Sequence, residues 1–158
     1  MEQEKNPAEG GLLILMRHGD YTVASDGHKR LNEIGIAQAE KSGRYISETL
    51  GLREADVIFS SDVERACETA DIVARYVRAA RREQDAALRP GGSGIAELIM
   101  QEYSRKNVII VTHIPVIELQ YAAFLNRNAF FSYSPAALTA LRYIPGKQCY
   151  EMIASYAP

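Results

Sequence analysis

Two short, wholly apolar runs constrain the fold of this chain more than any other feature of its sequence. They are Leu12–Met16 and Val108–Val111, and each has the length and composition of a strand that is buried on both faces. Strands of this kind occur in parallel sheets that are covered by helices on both sides. Each run ends abruptly in a polar segment that contains a histidine, His18 after the first run and His113 after the second.

The remaining segments alternate between helical and strand patterns. Residues 31–50 show a moderate helical periodicity that stops before Gly51, a residue type common at helix ends. Asp56–Phe59 then predicts a further strand. The side chains that we expect on the core face of the first helix are Ile34, Ala37, Tyr45 and Ile46.

The segment after this second strand gives the clearest helical pattern. Ser61 and Glu64 have the spacing of a capping box, in which the serine caps the helix and the glutamate reaches back to the serine. Arg65 lies in the first turn and off the apolar stripe, beside the end of the preceding strand. Three arginines are expected to complement the dipole at the far end of this helix: Arg78, Arg81 and Arg82. The apolar stripe consists of Val63, Ala66, Cys67, Ala70, Val73, Ala74 and Val77.

The rest of the chain continues the alternation and closes with a hairpin. Leu88 is expected in a short strand, residues 90–94 in a turn, and residues 95–103 in an amphipathic helix. Pro115 stands in the first turn of a helix that runs to about Leu125. The closing strands are Leu138–Ile144 and Tyr150–Tyr156.

This order of elements predicts the fold class and the domain organisation. It is typical of a three-layer α/β/α sandwich with a mostly parallel central sheet, here with a C-terminal antiparallel hairpin. We expect one domain over residues 12–158, because a chain of 158 residues can bury a sizeable core without disulfides or a structural metal. Residues 1–11 are expected to form a flexible polar tail.

Charge and composition exclude several classes of protein. The net charge is −2 and the lysines and arginines are scattered, which argues against binding to nucleic acid or to an anionic membrane. No apolar run approaches the ~20 residues of a transmembrane helix, and residues 1–11 lack the apolar region of a secretory signal. We therefore expect a cytoplasmic protein whose two cysteines, Cys67 and Cys149, are reduced and partly buried.

Side chains that suit phosphate follow the strand ends: Arg17 and His18 after the first apolar run, Arg65 after the second strand, and His113 after the second apolar run. Ligands collect beyond such strand ends in parallel sheets, and guanidinium groups match the oxygens of phosphate. A neutral imidazole at His18 can attack phosphorus, and Gly19 lets the backbone approach a ligand closely. The sequence thus predicts a phosphate site without a metal, because the two histidines lack a third ligand and the arginines repel a cation.

Four segments, in order along residues 12–125, resemble the histidine phosphatase superfamily, which shares its fold with phosphoglycerate mutase. An Arg-His-Gly tripeptide alone would be weak evidence, but four spaced segments on matching elements make a specific resemblance. The short chain is most similar to the phosphohistidine phosphatases of the SixA type, because other branches of the superfamily carry long insertions. The segments are Leu15–Gly19, Leu31–Gly35 with Ala39, Phe59–Ala70, and Val111–Pro115.

The resemblance implies a mechanism that uses no cofactor. It makes His18 the phosphoryl acceptor, and it makes Arg17, Arg65 and His113 the clamp that holds the phosphoryl group, with Gly19 close to the phosphate. It also implies a phosphorylated protein or a small phosphorylated molecule as the substrate, and inorganic phosphate as a product.

One role of the family has no obvious residue in this chain. Many members carry Glu-Leu-x-Pro after the third strand, and its Glu is the proton donor, whereas this chain reads Ala87-Leu88-Arg89-Pro90. Asp20 is the nearest candidate in sequence for the general acid, and another interpretation makes it a loop residue that bonds its own backbone. His28, in the polar loop 25–30, is expected to be a solvated surface residue.

Three functions are compatible with the sequence. The first is a phosphatase that forms a phosphohistidine intermediate and acts on phosphohistidine in proteins. The second is a small-metabolite phosphomonoesterase with the same mechanism. The third is a binding module that keeps the phosphate pocket without turnover, and the presence of His18 argues against it because a binder needs no nucleophile.

Overall fold

The computed structural model describes residues 10–158, and within them strands and helices alternate. A π-helical turn, Tyr45–Thr49, continues the first helix, and a 3-10 turn forms at Ala86–Leu88. The strands are β1 (Leu12–Arg17), β2 (Tyr21–Val23), β3 (Lys29–Leu31), β4 (Glu54–Ser60), β5 (Arg78–Gln84), β6 (Val108–Thr112), β7 (Leu138–Ile144) and β8 (Cys149–Tyr156). The helices are α1 (Glu33–Arg44), α2 (Glu64–Val73), α3 (Ala96–Glu102) and α4 (Val116–Leu125).

Among the described residues, six strands form one sheet in the order β5-β4-β6-β1-β7-β8. The neighbours β5, β4, β6 and β1 are parallel, whereas β7 runs antiparallel to both β1 and β8. The strands β7 and β8 are the predicted C-terminal hairpin, so the prediction of an α/β fold with a mostly parallel sheet is confirmed. The strands β2 and β3 form a separate small hairpin that the sequence analysis did not predict.

The two apolar runs lie at the centre of the sheet, where their side chains point alternately into two cores. On one face, Leu13 and Leu15 of β1 belong to the core that includes the buried side chains of α3 and α4. On the other face, Ile14 and Met16 belong to the core that includes the buried side chains of α2. Helices thus cover both faces of the sheet, which explains why neither run contains a polar residue.

The first helix buries small residues instead of the large ones that we predicted. Ile34 is 62% exposed and Ala37 is also exposed, so these two predicted core contacts are wrong. Tyr45 and Ile46, in the π-helical turn, do pack into the core. The backbone of α1 lies so close to its neighbours that its inward face accepts only small side chains. The buried residues of this helix are Gly35, Ala39, Ser42 and Gly43.

The segment 78–84 is a strand and not the predicted C-terminal end of the second helix. It pairs in parallel with β4 at the edge of the sheet, and most of its residues are exposed. Arg78, Arg81 and Arg82 therefore lie on an edge strand. Such a strand needs no apolar alternation, so periodicity did not reveal it. Leu88 is not in a strand either, because it ends the 3-10 turn, where it is fully buried.

The folded part of the chain reaches further toward the N-terminus than we predicted. Gly10 and Gly11, which the sequence analysis placed in a flexible tail, are buried, and the N–H of Gly11 donates to the carbonyl of Ser104 at 2.8 Å. The rest of the predicted tail, residues 1–9, lies outside the described residues. Over residues 10–158, no helix has the length and apolar character needed to cross a membrane.

Candidate active site

The two predicted histidines lie side by side at the carboxyl edge of the sheet. Arg17 pairs with Thr112 in the register of β1 and β6, so the residues that follow them, His18 and His113, are neighbours. The N–H of His18 donates to the carbonyl of Thr112 at 3.1 Å, and the two imidazole centroids are 4.9 Å apart. Both side chains are buried. The parallel sheet therefore brings together two residues that are far apart in the sequence.

The imidazole of His18 is held in one neutral form. Its Nδ1 lies 2.8 Å from the carbonyl oxygen of Gly19, which can only accept, so Nδ1 carries the proton. Burial lowers the pKa of His18 to about 4, and the positive charges of Arg65 and Arg17 add to this effect. Its Nε2 therefore carries the lone pair that attack on phosphorus requires, and this atom accepts a hydrogen bond of 3.4 Å from Nε of Arg65.

His113 is also neutral, and one of its ring nitrogens has no partner. Burial lowers the pKa of His113 to about 3, with further contributions from His18 and Arg65. Its Nε2 lies 2.7 Å from the hydroxyl oxygen of Ser61. Its buried Nδ1 has no hydrogen-bond partner within residues 10–158. Buried polar atoms without partners are rare, so this atom marks a place where a ligand can bind.

Ser61 contacts His113 and does not form the predicted capping box. α2 begins at Glu64, after Val63, and it has no side-chain cap. The hydroxyl oxygen of Ser61 accepts from the N–H of Val63 at 3.2 Å, whereas Glu64 binds the β2–β3 hairpin. The prediction is wrong because both side chains have partners from distant parts of the chain. The serine hydroxyl contacts His113, and the glutamate binds His28 and Arg30.

Two guanidinium groups without carboxylate partners complete the site. Nη1 of Arg17 donates to the carbonyl of Tyr133 at 3.0 Å, while the Nε of Arg17 is buried and has no partner in the described part of the chain. Arg65 is buried, and its Nε lies 3.4 Å from Nε2 of His18. Neither arginine forms an ion pair with a carboxylate of residues 10–158. We call the site formed by these two arginines, His18 and His113 the crevice, and its charge suits a dianion.

Tyr21 is a contact of the crevice that the sequence analysis missed. The Cζ atom of Arg65 lies 4.7 Å from the centroid of the Tyr21 ring, and the imidazole centroid of His18 lies 5.5 Å from it. A cation close to an aromatic ring is attracted by the quadrupole of the ring. We predicted no strand between residues 20 and 30, and only the fold of β2 brings this side chain to Arg65.

The polar backbone atoms of Gly19 bind within the protein. The N–H of Gly19 donates to Oγ1 of Thr69 at 3.1 Å, and its carbonyl oxygen faces Nδ1 of His18. A Cβ at Gly19 would lie 2.6 Å from the carbonyl oxygen of Gly35, and a Cβ at Gly35 would lie 1.9 Å from that of Asp20. The glycine thus serves close packing of two backbones, and its closeness to a bound phosphate stays a prediction.

Asp20 borders the crevice and contacts the start of α1. One of its carboxylate oxygens accepts from Nδ2 of Asn32 at 3.0 Å, and its N–H donates to Gln38. The negative charge of Asp20 raises the pKa values of His18 and Arg17. Its role as a general acid stays a prediction.

The position of the family glutamate holds a methyl group. Ala87 lies in the 3-10 turn, which is bound to the carboxyl edge of the sheet by a hydrogen bond of 2.7 Å from Oγ1 of Thr112 to the carbonyl of Leu88. Arg89 follows this turn and binds the carboxylate of Asp62 through Nε and Nη2. The turn is therefore in place beside the crevice, but residue 87 brings no acid to it.

His28 lies outside the crevice, on the β2–β3 hairpin, as predicted. Its side chain is 52% exposed, and its Nδ1 lies 2.5 Å from a carboxylate oxygen of Glu64. Arg30 pairs with Glu64 as well, and also with Asp26. These residues form a surface network of ion pairs beside α2.

Neither the cysteines nor the histidines form a metal site in the described part of the chain. Residues 10–158 contain no group of three His, Cys, Asp or Glu side chains that could hold a metal ion. Cys67 and Cys149 are free thiols and half-buried. That the reaction needs neither a metal nor a cofactor stays a prediction.

Residues 13–97 match the family model of the histidine phosphatase superfamily, branch 1. This stretch is more than half of the chain, and it includes Arg17, His18 and Arg65. The chain belongs to this superfamily. Membership supports a phosphatase activity, which agrees with a crevice that holds two neutral histidines and two arginines without a carboxylate partner in residues 10–158. The comparison with curated proteins found no match.

Solved structures with similar folds include both phosphatases and a mutase. The protein histidine phosphatase SixA, solved with tungstate, is 16% identical with a TM-score of 0.78, over 93% of this chain and 97% of that chain. A phosphoserine phosphatase from Entamoeba histolytica, solved with 3-phosphoglyceric acid, is 17% identical with a TM-score of 0.67, over 94% and 98% of the two chains. Phosphoglycerate mutase from Plasmodium falciparum is 22% identical with a TM-score of 0.68, over 94% of each chain. At these identities the likeness establishes the fold of the superfamily.

Proposed function

We propose that this protein is a phosphatase that forms a phosphohistidine intermediate on His18 and acts on phosphohistidine in other proteins. One observation carries the proposal: the neutral imidazole of His18 has the lone pair on Nε2, beside two arginines that have no carboxylate partners in the described part of the chain. A nucleophile next to uncompensated positive charge is the arrangement that phosphoryl transfer uses.

The reaction has two steps in this proposal. First, Nε2 of His18 attacks the phosphorus, and the bond from phosphorus to the leaving nitrogen breaks with its electron pair going to the leaving imidazole. Arg17, Arg65 and His113 hold the phosphoryl oxygens and balance their charge in the transition state. Second, water attacks the phosphorus, and the bond from phosphorus to Nε2 breaks with its electron pair returning to Nε2. Inorganic phosphate leaves with the oxygen and the protons of the water, and neutral His18 is restored. The tungstate complex of SixA fits this picture, because tungstate is a tetrahedral oxyanion like phosphate.

The presence of Ala87 at the position of the family glutamate supports this choice of substrate. An alkyl phosphate ester leaves as a strongly basic alkoxide unless a positioned acid protonates it. The remote ring nitrogen of phosphohistidine can take a proton near the imidazole pKa of about 6.5. The leaving group is then a neutral imidazole, which needs little protonation by an acid of the enzyme. The methyl group of Ala87 in place of the family glutamate therefore supports phosphohistidine as the substrate.

Three short connections at the carboxyl edge of the sheet also support a substrate that another protein presents. The loops that follow β1, β4 and β6 have three residues each, namely 18–20, 61–63 and 113–115. A cavity of about 300 Å³, lined in part by Lys29, Glu64 and Arg65, lies between the β2–β3 hairpin and α2. Short loops leave room for a side chain that is attached to a folded partner.

A comparison of substrates tests this function. We would measure kcat/KM for a phosphohistidine-containing protein, for phosphoramidate and for a panel of alkyl phosphate esters, including sugar phosphates. Wild-type protein is expected to hydrolyse the first two well ahead of the esters. Asp20→Asn is expected to lower ester hydrolysis more than phosphohistidine hydrolysis, and Asp26→Asn on the hairpin is the matched control.

Two outcomes would overturn the proposal. An equal or higher kcat/KM for a sugar phosphate would favour the small-metabolite phosphomonoesterase. No turnover of any substrate, together with no phosphoryl group on His18, would favour the binding module.

A further inference from the structure

The surrounding contacts favour one direction for the hydrogen bond between Ser61 and His113. Both residues are buried, and Oγ of Ser61 lies 2.7 Å from Nε2 of His113. The same oxygen already accepts from the N–H of Val63 at 3.2 Å. Within residues 10–158 the hydroxyl proton has one acceptor at hydrogen-bond distance, and this acceptor is Nε2 of His113. Ser61 is therefore the donor, and Nε2 holds the lone pair.

This direction fixes the tautomer of His113. A neutral imidazole carries one proton, so the proton is on Nδ1 when Nε2 accepts. The buried Nδ1–H has no acceptor in the described part of the chain. The positive charges that act on this imidazole come from Arg65 and Arg17, with Asp62 as the opposing carboxylate. A buried N–H donor among cations is matched by the oxygen of an incoming anion.

We propose that Ser61 is a positioning residue that holds His113 in the Nδ1–H tautomer, so that this N–H donates to an oxygen of the transferred phosphoryl group. The opposite tautomer would present a lone pair to an oxygen that is itself negative. The inference rests on the proposed phosphoryl transfer in the crevice. It adds that the hydroxyl of Ser61 keeps the proton of His113 on Nδ1.

The tautomer can be measured directly in the full-length protein. Long-range 1H–15N correlation spectra of uniformly 15N-labelled protein at neutral pH distinguish Nδ1–H from Nε2–H in each histidine. We expect the Nδ1–H tautomer for His113 in the wild-type protein. Adding inorganic phosphate is expected to shift the Nδ1 resonance of His113, because this N–H then gains an acceptor.

Variants at Ser61 test whether the hydroxyl is the cause. Ser61→Ala is expected to give a mixture of both tautomers and to weaken phosphate binding roughly tenfold, since a buried partner is lost. Ser61→Thr keeps the hydroxyl and is expected to restore both the tautomer and the affinity. The matched control is Ser60→Ala, because Ser60 is buried one residue earlier and its hydroxyl contacts Cys67.

Two results would overturn the inference. One is an Nε2–H tautomer of His113 in the wild-type protein, which needs no variant and so is independent of any folding defect. The other is a folded Ser61→Ala protein that keeps both the Nδ1–H tautomer and the wild-type affinity for phosphate. Neither readout uses a substrate, so a wrong substrate class and a wrong role for Ser61 give different results.

Discussion

The histidines of the crevice and the histidine of the β2–β3 hairpin have opposite surroundings. His18 and His113 are buried and neutral, and the arginines beside them form no ion pair with a carboxylate of residues 10–158. His28 is exposed, and Glu64 binds both His28 and Arg30. The hairpin balances these charges within the protein, whereas the crevice keeps positive charge that an incoming anion can balance. The charged residues of the hairpin thus contribute to the protein surface, whereas those of the crevice are suited to bind a ligand.

Replacing the two kinds of histidine should give the largest contrast. His18→Ala removes the proposed nucleophile, and we expect turnover of phosphoramidate to fall by about a thousandfold or more while the fold is retained. His28→Ala, the matched control, should leave turnover unchanged. Steady-state kinetics and mass spectrometry of an acid-labile phosphoryl adduct measure both effects. Activity of His18→Ala within about tenfold of wild type, without an adduct on this residue in the wild-type protein, would remove His18 from the mechanism.

The buried histidines should also make the free protein less stable in acid. Their pKa values of about 4 and about 3 lie below the ordinary value of 6.5, so the unfolded chain binds more protons below this pH. Stability that is present above pH 6.5 is therefore lost as the pH falls toward 4. At pH 5 we expect a loss of about 2 kcal/mol for each histidine.

Urea unfolding at pH 7 and pH 5 measures this loss. His18→Ala should lose about half as much stability as wild type over the same interval, since one of the two titrating groups is gone. A free energy of unfolding that does not change between these pH values would show that the two imidazoles titrate normally in the folded protein.

Exchanging arginine for lysine should lower kcat/KM in the crevice and not on the hairpin, by less than the loss of His18 does. Arg65→Lys replaces two parallel N–H donors by a point charge, and we expect a loss of about 2 kcal/mol in transition-state stabilisation, measured as kcat/KM. Arg30→Lys makes the same change on the hairpin and should have no effect on kcat/KM. Equal kinetics for the two variants would place Arg65 outside the catalytic machinery.

The contact of Arg65 with the ring of Tyr21 should contribute less to phosphate binding than the N–H donors of Arg65 do. Tyr21→Leu removes the ring beside the guanidinium, and we expect phosphate to inhibit more weakly, by about 1 kcal/mol in binding free energy. Tyr21→Phe keeps the ring and should behave like wild type. If the phenylalanine variant is as impaired as the leucine variant, the hydroxyl and not the ring is the important group.

The smallest effect is expected from the ion pairs of the hairpin. Glu64→Gln removes the carboxylate that binds His28 and Arg30, both at exposed positions. Such surface pairs contribute little, so kcat/KM should be the same as for wild type within error. A clear fall in kcat/KM would mean that these pairs hold Tyr21 in place over Arg65.

Most of the fold could be predicted from the sequence, because buried strands and amphipathic helices leave strong patterns. Leu12–Met16 and Val108–Val111 gave the central strands and also placed His18 and His113 at one edge of the sheet. The edge strand β5 left no such pattern, since it is exposed along most of its length. Periodicity reports burial, so it does not detect a strand whose side chains are mostly exposed.

The missed contacts of the site depend on partners that are distant in the sequence. Ser61 and Glu64 have the spacing of a capping box, but His113 and the hairpin supply stronger partners for their side chains. Tyr21 reaches Arg65 because it lies on the β2–β3 hairpin, whose short strands left no clear pattern in the sequence. Local spacing describes the chemistry that a side chain can perform, and the tertiary fold decides which partner it meets.

The packing of Gly35 has a consequence for protein engineering. A glycine inside a helix costs about 1 kcal/mol relative to alanine, so replacing helical glycines is a standard way to raise thermostability. In this chain a methyl group at Gly35 would lie 1.9 Å from the carbonyl oxygen of Asp20 and would push on the segment that begins at His18. A design program that scores only helix propensity would select this change. It would disturb the proposed nucleophile without altering any residue of the crevice.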